Sequence, residues 1–164
     1  MDKVESEAWD TVLLLIGEVD LGFVIWFRAD KYQSKVDDMF AQTQLEFEKF
    51  IFLLKGKCKN LVIISVPLPT ISDDSQQGVV ANQRKSITAS QRERTELTLK
   101  FNLNIKKFCE ISSISFLDLD SDSLGDNGLV KNTLLNEKLT DHHYNKKEYI
   151  ALLTKHLSNV LLNE

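Results

Sequence analysis

The residues of this chain best suited to chemistry stand in two short blocks, Gly17-Glu-Val-Asp20 and Asp141-His-His143. A histidine takes or gives a proton near neutral pH, and a carboxylate within reach fixes its tautomer and stabilises the imidazolium. Asp141 and His143 lie two apart just ahead of an amphipathic helix, so both can face one rim of a sheet. From spacing alone a plainer reading stands beside this one. In it Asp141 caps the helix region and the histidines are solvated loop residues.

For the two blocks to meet, strands and helices must bring them to one edge. Thr11-Val-Leu-Leu-Leu-Ile16 is an apolar run without alternation, which predicts a strand buried on both faces, directly before Gly17. Ser34, with Asp37 three residues on, predicts a capped helix whose apolar positions run from Val36 to Leu54 and which Gly56 ends. Asn60-Leu-Val-Ile-Ile-Ser65 predicts a second buried strand, stopped by Pro67 and Pro69. The polar stretch from Ser72 to Thr88 is long for a connection, and such loops are usually functional or mobile. Ser90 and Glu93 form a capping box for a helix with the apolar stripe Leu97, Phe101, Ile105 and Phe108. Ser115-Phe-Leu-Asp-Leu119 predicts a third strand, ending in the acidic turn Asp120–Gly128; Leu129–Thr140 stays unassigned. A last helix from about Asn145 carries Tyr149, Leu152, Leu153, Leu157 and Leu161.

Alternating strands and helices are the pattern of a doubly wound parallel sheet, in which ligands bind beyond the carboxyl ends of the strands. Gly17–Asp20, the Pro67–Thr88 loop and Leu139–Tyr144 all arrive there. Gly22-Phe-Val-Ile-Trp-Phe-Arg28 reads as an aromatic loop. It serves either as a pocket wall with Arg28 reaching an anionic group, or as packing of Phe23 and Trp26 under the sheet end.

The 164 residues suit one domain, 1–164, with 43% hydrophobic and 27% charged residues. A net charge of -4 with scattered Lys and Arg gives no reason to expect nucleic acid. No apolar run is long enough to span a bilayer, and Met1–Asp10 is too acidic and polar for a signal peptide, so the expectation is a cytoplasmic protein away from membranes. Cys58 and Cys109 suggest neither a zinc site nor a disulfide framework and read as small apolar residues near helix ends. His156 reads as a lone surface residue, and Asp118-Leu-Asp120 as an ordinary acidic strand end. No glycine-rich phosphate loop is present, and no cofactor or metal is expected.

Taken together, Gly17-Glu-Val-Asp20 after a buried strand, Pro67-Leu-Pro69 after the next, the helical run Arg92–Asn102, and Asp141-His-His143 with Tyr149 six positions on resemble the SGNH (GDSL-like) hydrolases. The order and spacing of these segments carry the resemblance, which covers nearly the whole chain. It implies a three-layer, flavodoxin-like α/β fold that lacks its first strands. It also implies an ester hydrolase acting on acyl or acetyl esters, including those of carbohydrate. By the same resemblance His143 is the general base, Asp141 its orienting partner, and Gly17 part of an oxyanion region with Glu18 and Asp20 nearby. The sequence departs from the family's pattern at three points. Asp141-x-His143 replaces D-x-x-H, Val19 stands where the family has an asparagine donor, and the nucleophilic G-D-S block is not found. Asp122-Ser123-Leu124 echoes that block but reads as a solvated turn. The other reading is therefore a catalytically incomplete protein that binds a ligand or a partner chain. In the family's sheet the strand that bears the nucleophile pairs with the one corresponding to Thr11–Ile16, so the resemblance implies that Thr11–Ile16 is an open edge. No charge or proline blunts it, and the expectation is self-association or a partner that contributes a strand.

Overall fold

A computed structural model of the chain describes residues 9–74, 87–138 and 141–161. Met1–Ala8, most of the Ser72–Thr88 loop, Leu139 and Thr140, and the side chain of Leu161 lie outside the described residues.

Three strands, β1 (Trp9–Leu14), β2 (Cys58–Ile64) and β3 (Ser115–Leu117), form a parallel sheet in the order β1-β2-β3. Leu13 lies beside Val62, and Ile63 beside Phe116. Parallel neighbours need long crossovers, and helices supply them. After β1 the chain enters a π-helical turn, Asp20–Val24, which runs on into α1 (Ile25–Lys31) and then α2 (Val36–Lys55). Between β2 and β3 lies α3 (Gln91–Ile111), and the last helix is α4 (Lys146–Leu161).

The two faces of β2 are buried by different helices, as alternation of side chains along a strand demands. Leu61 and Ile63, with Leu14 of β1, pack on Phe40 and Ile51 of α2 and on Leu97, Phe101, Ile105 and Cys109 of α3. Val62 and Ile64, with Leu117 and Leu119, pack on Tyr149, Leu152, Leu153 and Leu157 of α4. The capping box expected at Ser90 is present, with the Ser90 side chain accepting from the Glu93 backbone and Glu93 reaching back to Ser90.

Several elements differ from expectation. The first strand is Trp9–Leu14 rather than Thr11–Ile16, and it is not buried on both faces. Leu14 is in the core, but Trp9 is 57% and Leu13 46% exposed, because the apolar stripe of α4 covers β2 and β3. Leu15 and Ile16 follow the strand and are exposed as well. Among the described strands β1 pairs with β2 alone, and no described strand lies along its other edge. Gly22–Arg28 is helical rather than a loop, since Leu21, Ile25 and Ala29 recur at four-residue spacing and are all buried. Ser34 does not cap α2. Its hydroxyl donates to the Tyr32 carbonyl, and Lys35 occupies the cap position without a side-chain bond. Gly56 ends α2 in a right-handed conformation that any residue can adopt. β3 stops at Leu117, where the Leu119 N–H turns to the Ser65 hydroxyl. Ser123 sits in a one-turn helix, Asp120–Ser123, and is 4% exposed rather than solvated. Cys109 is buried near the end of α3, whereas Cys58 opens β2 and is half-buried.

The Ser65 N–H still donates to the Leu117 carbonyl of β3 at 3.0 Å, and from Val66 on side chains of α3 take the place of ladder partners. Asn102 accepts from the Val66 N–H at 2.9 Å and donates to the Val66 carbonyl at 3.0 Å. Gln91 donates to the Pro69 carbonyl and Arg94 to that of Ile71, each at 2.8 Å. Asn102 is 2% exposed, so truncating it strands two backbone groups away from water. Asn102→Ala is therefore expected to lower unfolding stability by about 3 kcal/mol. Urea denaturation would measure this, and a loss below about 1 kcal/mol would mean that water takes over the bridge.

Candidate functional site

Gly17 turns the chain from β1 into the π-helical turn. Its φ is +110°, and a Cβ there would lie 3.1 Å from Cγ2 of Val66, so both conformation and space call for glycine. The Leu21 N–H donates to the Gly17 carbonyl at 3.0 Å, which starts the helix and sets half-buried Glu18 at the carboxyl rim of the sheet.

The second block reaches the same rim under tight local control. The Asp141 N–H donates to the Lys138 carbonyl at 2.8 Å, and the Asp141 carboxylate accepts the His143 backbone N–H at 3.1 Å. The Thr70 hydroxyl donates to the His142 carbonyl. The Tyr144 hydroxyl accepts the Leu68 N–H at 2.8 Å. Asn145, rather than Asp141, caps α4, accepting from the N–H groups of Lys147 and Glu148.

These restraints bring Glu18, His142 and His143 together. Nδ1 of His143 lies 3.8 Å from Oε2 of Glu18, and the two imidazole rings are 4.3 Å apart between centroids. One side-chain N or O atom from each of the three residues falls within 4.8 Å of the others. His143 is exposed, whereas Glu18 and His142 are half-buried. Below them Tyr149 packs edge-on against Tyr144, with ring centroids 5.2 Å apart. The Tyr149 hydroxyl is buried without a hydrogen-bond partner among the described residues, and burial followed by the Glu18 charge pushes its pKa up to about 12.

Of the expected site residues, His143, Glu18 and Gly17 stand together at this rim. Asp141 is adjacent, but its carboxylate engages the backbone N–H of His143, while the His143 ring nitrogen faces Glu18. Asp20 opens the π-helical turn and lies outside the three-residue group. Arg28 is on the exposed side of α1, over the Tyr32 ring at 6.0 Å. His142 belongs to the Asp141-His-His143 block, but the sequence gives it no role of its own; in the structure it joins Glu18 and His143. His156 is not a lone surface residue: its Nε2 lies 2.6 Å from Oδ2 of Asp122, and that contact holds the Asp122 carboxyl below its usual range.

The acidic pair at the end of β3 is also committed to neighbours. Asp118 pairs with Lys106 at 2.9 Å, and Asp120 accepts from Asn102 at 2.7 Å. Ser65, at the end of β2, is buried, and its hydroxyl accepts the Leu119 N–H at 3.0 Å. No helix among the described residues is long and apolar enough to cross a membrane. No family model matches the chain, and neither does any curated protein.

Burial raises the Asp120 pKa from 3.8 to about 6, against the lowering effect of its bond from Asn102, while the Asp118 charge raises it further. An acid whose folded pKa lies above its unfolded value stabilises the fold below the unfolded pKa and loses that contribution as pH rises through the folded one. Asp120→Asn keeps an acceptor for Asn102 without the charge. Between pH 4 and pH 6 the wild type is therefore expected to lose stability relative to Asp120→Asn, with a constant gap above that window. Urea midpoints measured for both proteins across the range test this. Parallel curves would show that Asp120 ionises freely.

Proposed function

We propose that this chain is an SGNH-like ester hydrolase domain acting on acyl or acetyl esters, carbohydrate esters among them. Its scaffold on this reading is a doubly wound, flavodoxin-like sheet of the SGNH type. The observation that carries the reading is the approach of the His143 ring to Glu18 at the carboxyl rim of a parallel sheet. His143 acts as the general base, taking the proton of the attacking hydroxyl as that oxygen bonds to the acyl carbon. It returns the proton to the ester oxygen as the carbon–oxygen bond breaks. Glu18 stabilises the imidazolium formed in between, and Asp141 is a positioning residue that holds the His143 backbone. Ser65 is not available as the nucleophile, since its hydroxyl is buried against Leu119. With water in that role, the chain alone is expected to turn over nitrophenyl acetate slowly. His143→Ala and Glu18→Gln should each lower the rate at least roughly tenfold. Glu18→Gln separates a positioned base from a merely reactive imidazole. Equal rates in wild type and His143→Ala would remove the hydrolase reading.

The edge of β1 that no described strand covers favours a second reading, in which the site is incomplete until another copy or a partner chain adds a strand beside Leu13. A sedimentation coefficient that rises with concentration, and falls back to that of the monomer in Leu13→Lys, is the expected result for self-association. Leu14 is unsuitable for this test because it is in the core. A wild type that stays monomeric at every concentration, unaltered by Leu13→Lys, would rule out self-association.

A further inference from the structure

We infer that Glu18, His142 and His143 bind a divalent transition-metal ion of the zinc class. A metal-bound His143 cannot also serve as a general base, so this is a different use of the same side chains from the hydrolase reading, and it stands on the geometry of the three side chains alone. Two imidazoles and one carboxylate make a ligand set of borderline softness, which suits zinc, cobalt, nickel or copper. Calcium and magnesium prefer sets made of oxygen alone. The three donor atoms already lie within 4.8 Å of one another, and the Glu18–His143 pair is at 3.8 Å. A tetrahedral zinc site with bonds of about 2.0–2.2 Å holds its ligand atoms about 3.4 Å apart. Closing the cluster therefore takes side-chain shifts on the order of an ångström, and the exposed ring of His143 has room to make them.

The backbone that carries the cluster is prearranged. Thr70 holds the His142 carbonyl, Asp141 the His143 N–H, and the Tyr144 hydroxyl ties the next residue to Leu68. On the opposite side Gly17 is pressed against Val66, which sets the start of the helix bearing Glu18. Three protein ligands leave a fourth position for water or a substrate oxygen, as in open zinc sites.

Calorimetric titration of the chelator-treated chain with zinc chloride tests the inference, and because it involves no turnover its outcome is independent of the esterase assay. One zinc per chain is expected, with low-micromolar or tighter affinity. Glu18→Gln, His142→Ala and His143→Ala should each weaken it roughly tenfold or more. His156→Ala, which alters the other histidine–carboxylate pair, should leave it unchanged. Cobalt(II) in place of zinc should give visible absorption bands that disappear in the same three variants. Far-UV circular dichroism of each metal-free variant confirms that it is folded. Absence of saturable binding up to millimolar zinc, or binding that survives both Glu18→Gln and His142→Ala, would overturn the site.

Discussion

The rim of this sheet depends on one side chain, Asn102, which takes both backbone polar groups of Val66 where the ladder has ended. At Val66 the chain leaves the ladder but stays buried, so each backbone polar group needs a partner from elsewhere. Both N–H groups of Val66-Pro-Leu-Pro69 find partners. The prolines have no N–H to satisfy, Asn102 takes the N–H of Val66, and the Tyr144 hydroxyl takes that of Leu68. The carbonyls of Val66, Pro69 and Ile71 go to Asn102, Gln91 and Arg94, three residues along one buried row of α3. A polar row on a buried helix face is costly unless every member finds a partner. Here the row exists because the segment after β2 supplies those partners, and Thr95 and Thr98 close the remainder by donating back to their own helix.

That segment in turn positions both halves of the site. Gly17 packs against the Val66 side chain, and the carboxyl end of β1 is fixed there. Leu68 and Thr70 reach across to Tyr144 and to the backbone of His142. Glu18 and the two histidines thus owe their meeting to a stretch that contributes no member of the cluster itself. Aim rather than chemistry is what Val66–Thr70 supplies, and preorganisation of this sort is what lets a few polar groups act together at a rim.

How much of this was legible in the sequence depended on whether the deciding partner was near in the chain. The capping box at Ser90 and Glu93 and the stripe Leu97, Phe101 and Ile105 are local patterns, and the structure has them. The apolar run before Gly17 did give a strand, but its burial was misread, because a run of leucines looks the same whether or not a helix lies over it. The covering belongs to α4, whose stripe is used up on Val62, Ile64, Leu117 and Leu119. The helix over Gly22–Arg28 was hidden by its density of aromatic residues, although Leu21, Ile25 and Ala29 keep its period. At the site, spacing and the family resemblance both join Asp141 to the ring of His143. Two residues apart, the carboxylate closes a turn on the backbone, and the ring is left for Glu18 from the far end of the chain. His156 and Asp122 meet in the same way, with no signal in their spacing.

The edge of β1 that no described strand covers and the site are then one constraint rather than two. β1 ends at Leu14, and the exposed residues Leu15 and Ile16 lead straight to Gly17 and Glu18. A strand that pairs in parallel with β1 runs in the same direction, so its carboxyl end arrives at the rim where Glu18 faces His143. The loop after such a strand would lie beside the imidazole, which is where a parallel α/β sheet places its reactive groups. An antiparallel strand would bring its amino end there and send its following loop to the opposite edge. The direction of pairing at β1 therefore decides whether an added chain merely covers Trp9 and Leu13 or also extends the chemistry of the rim.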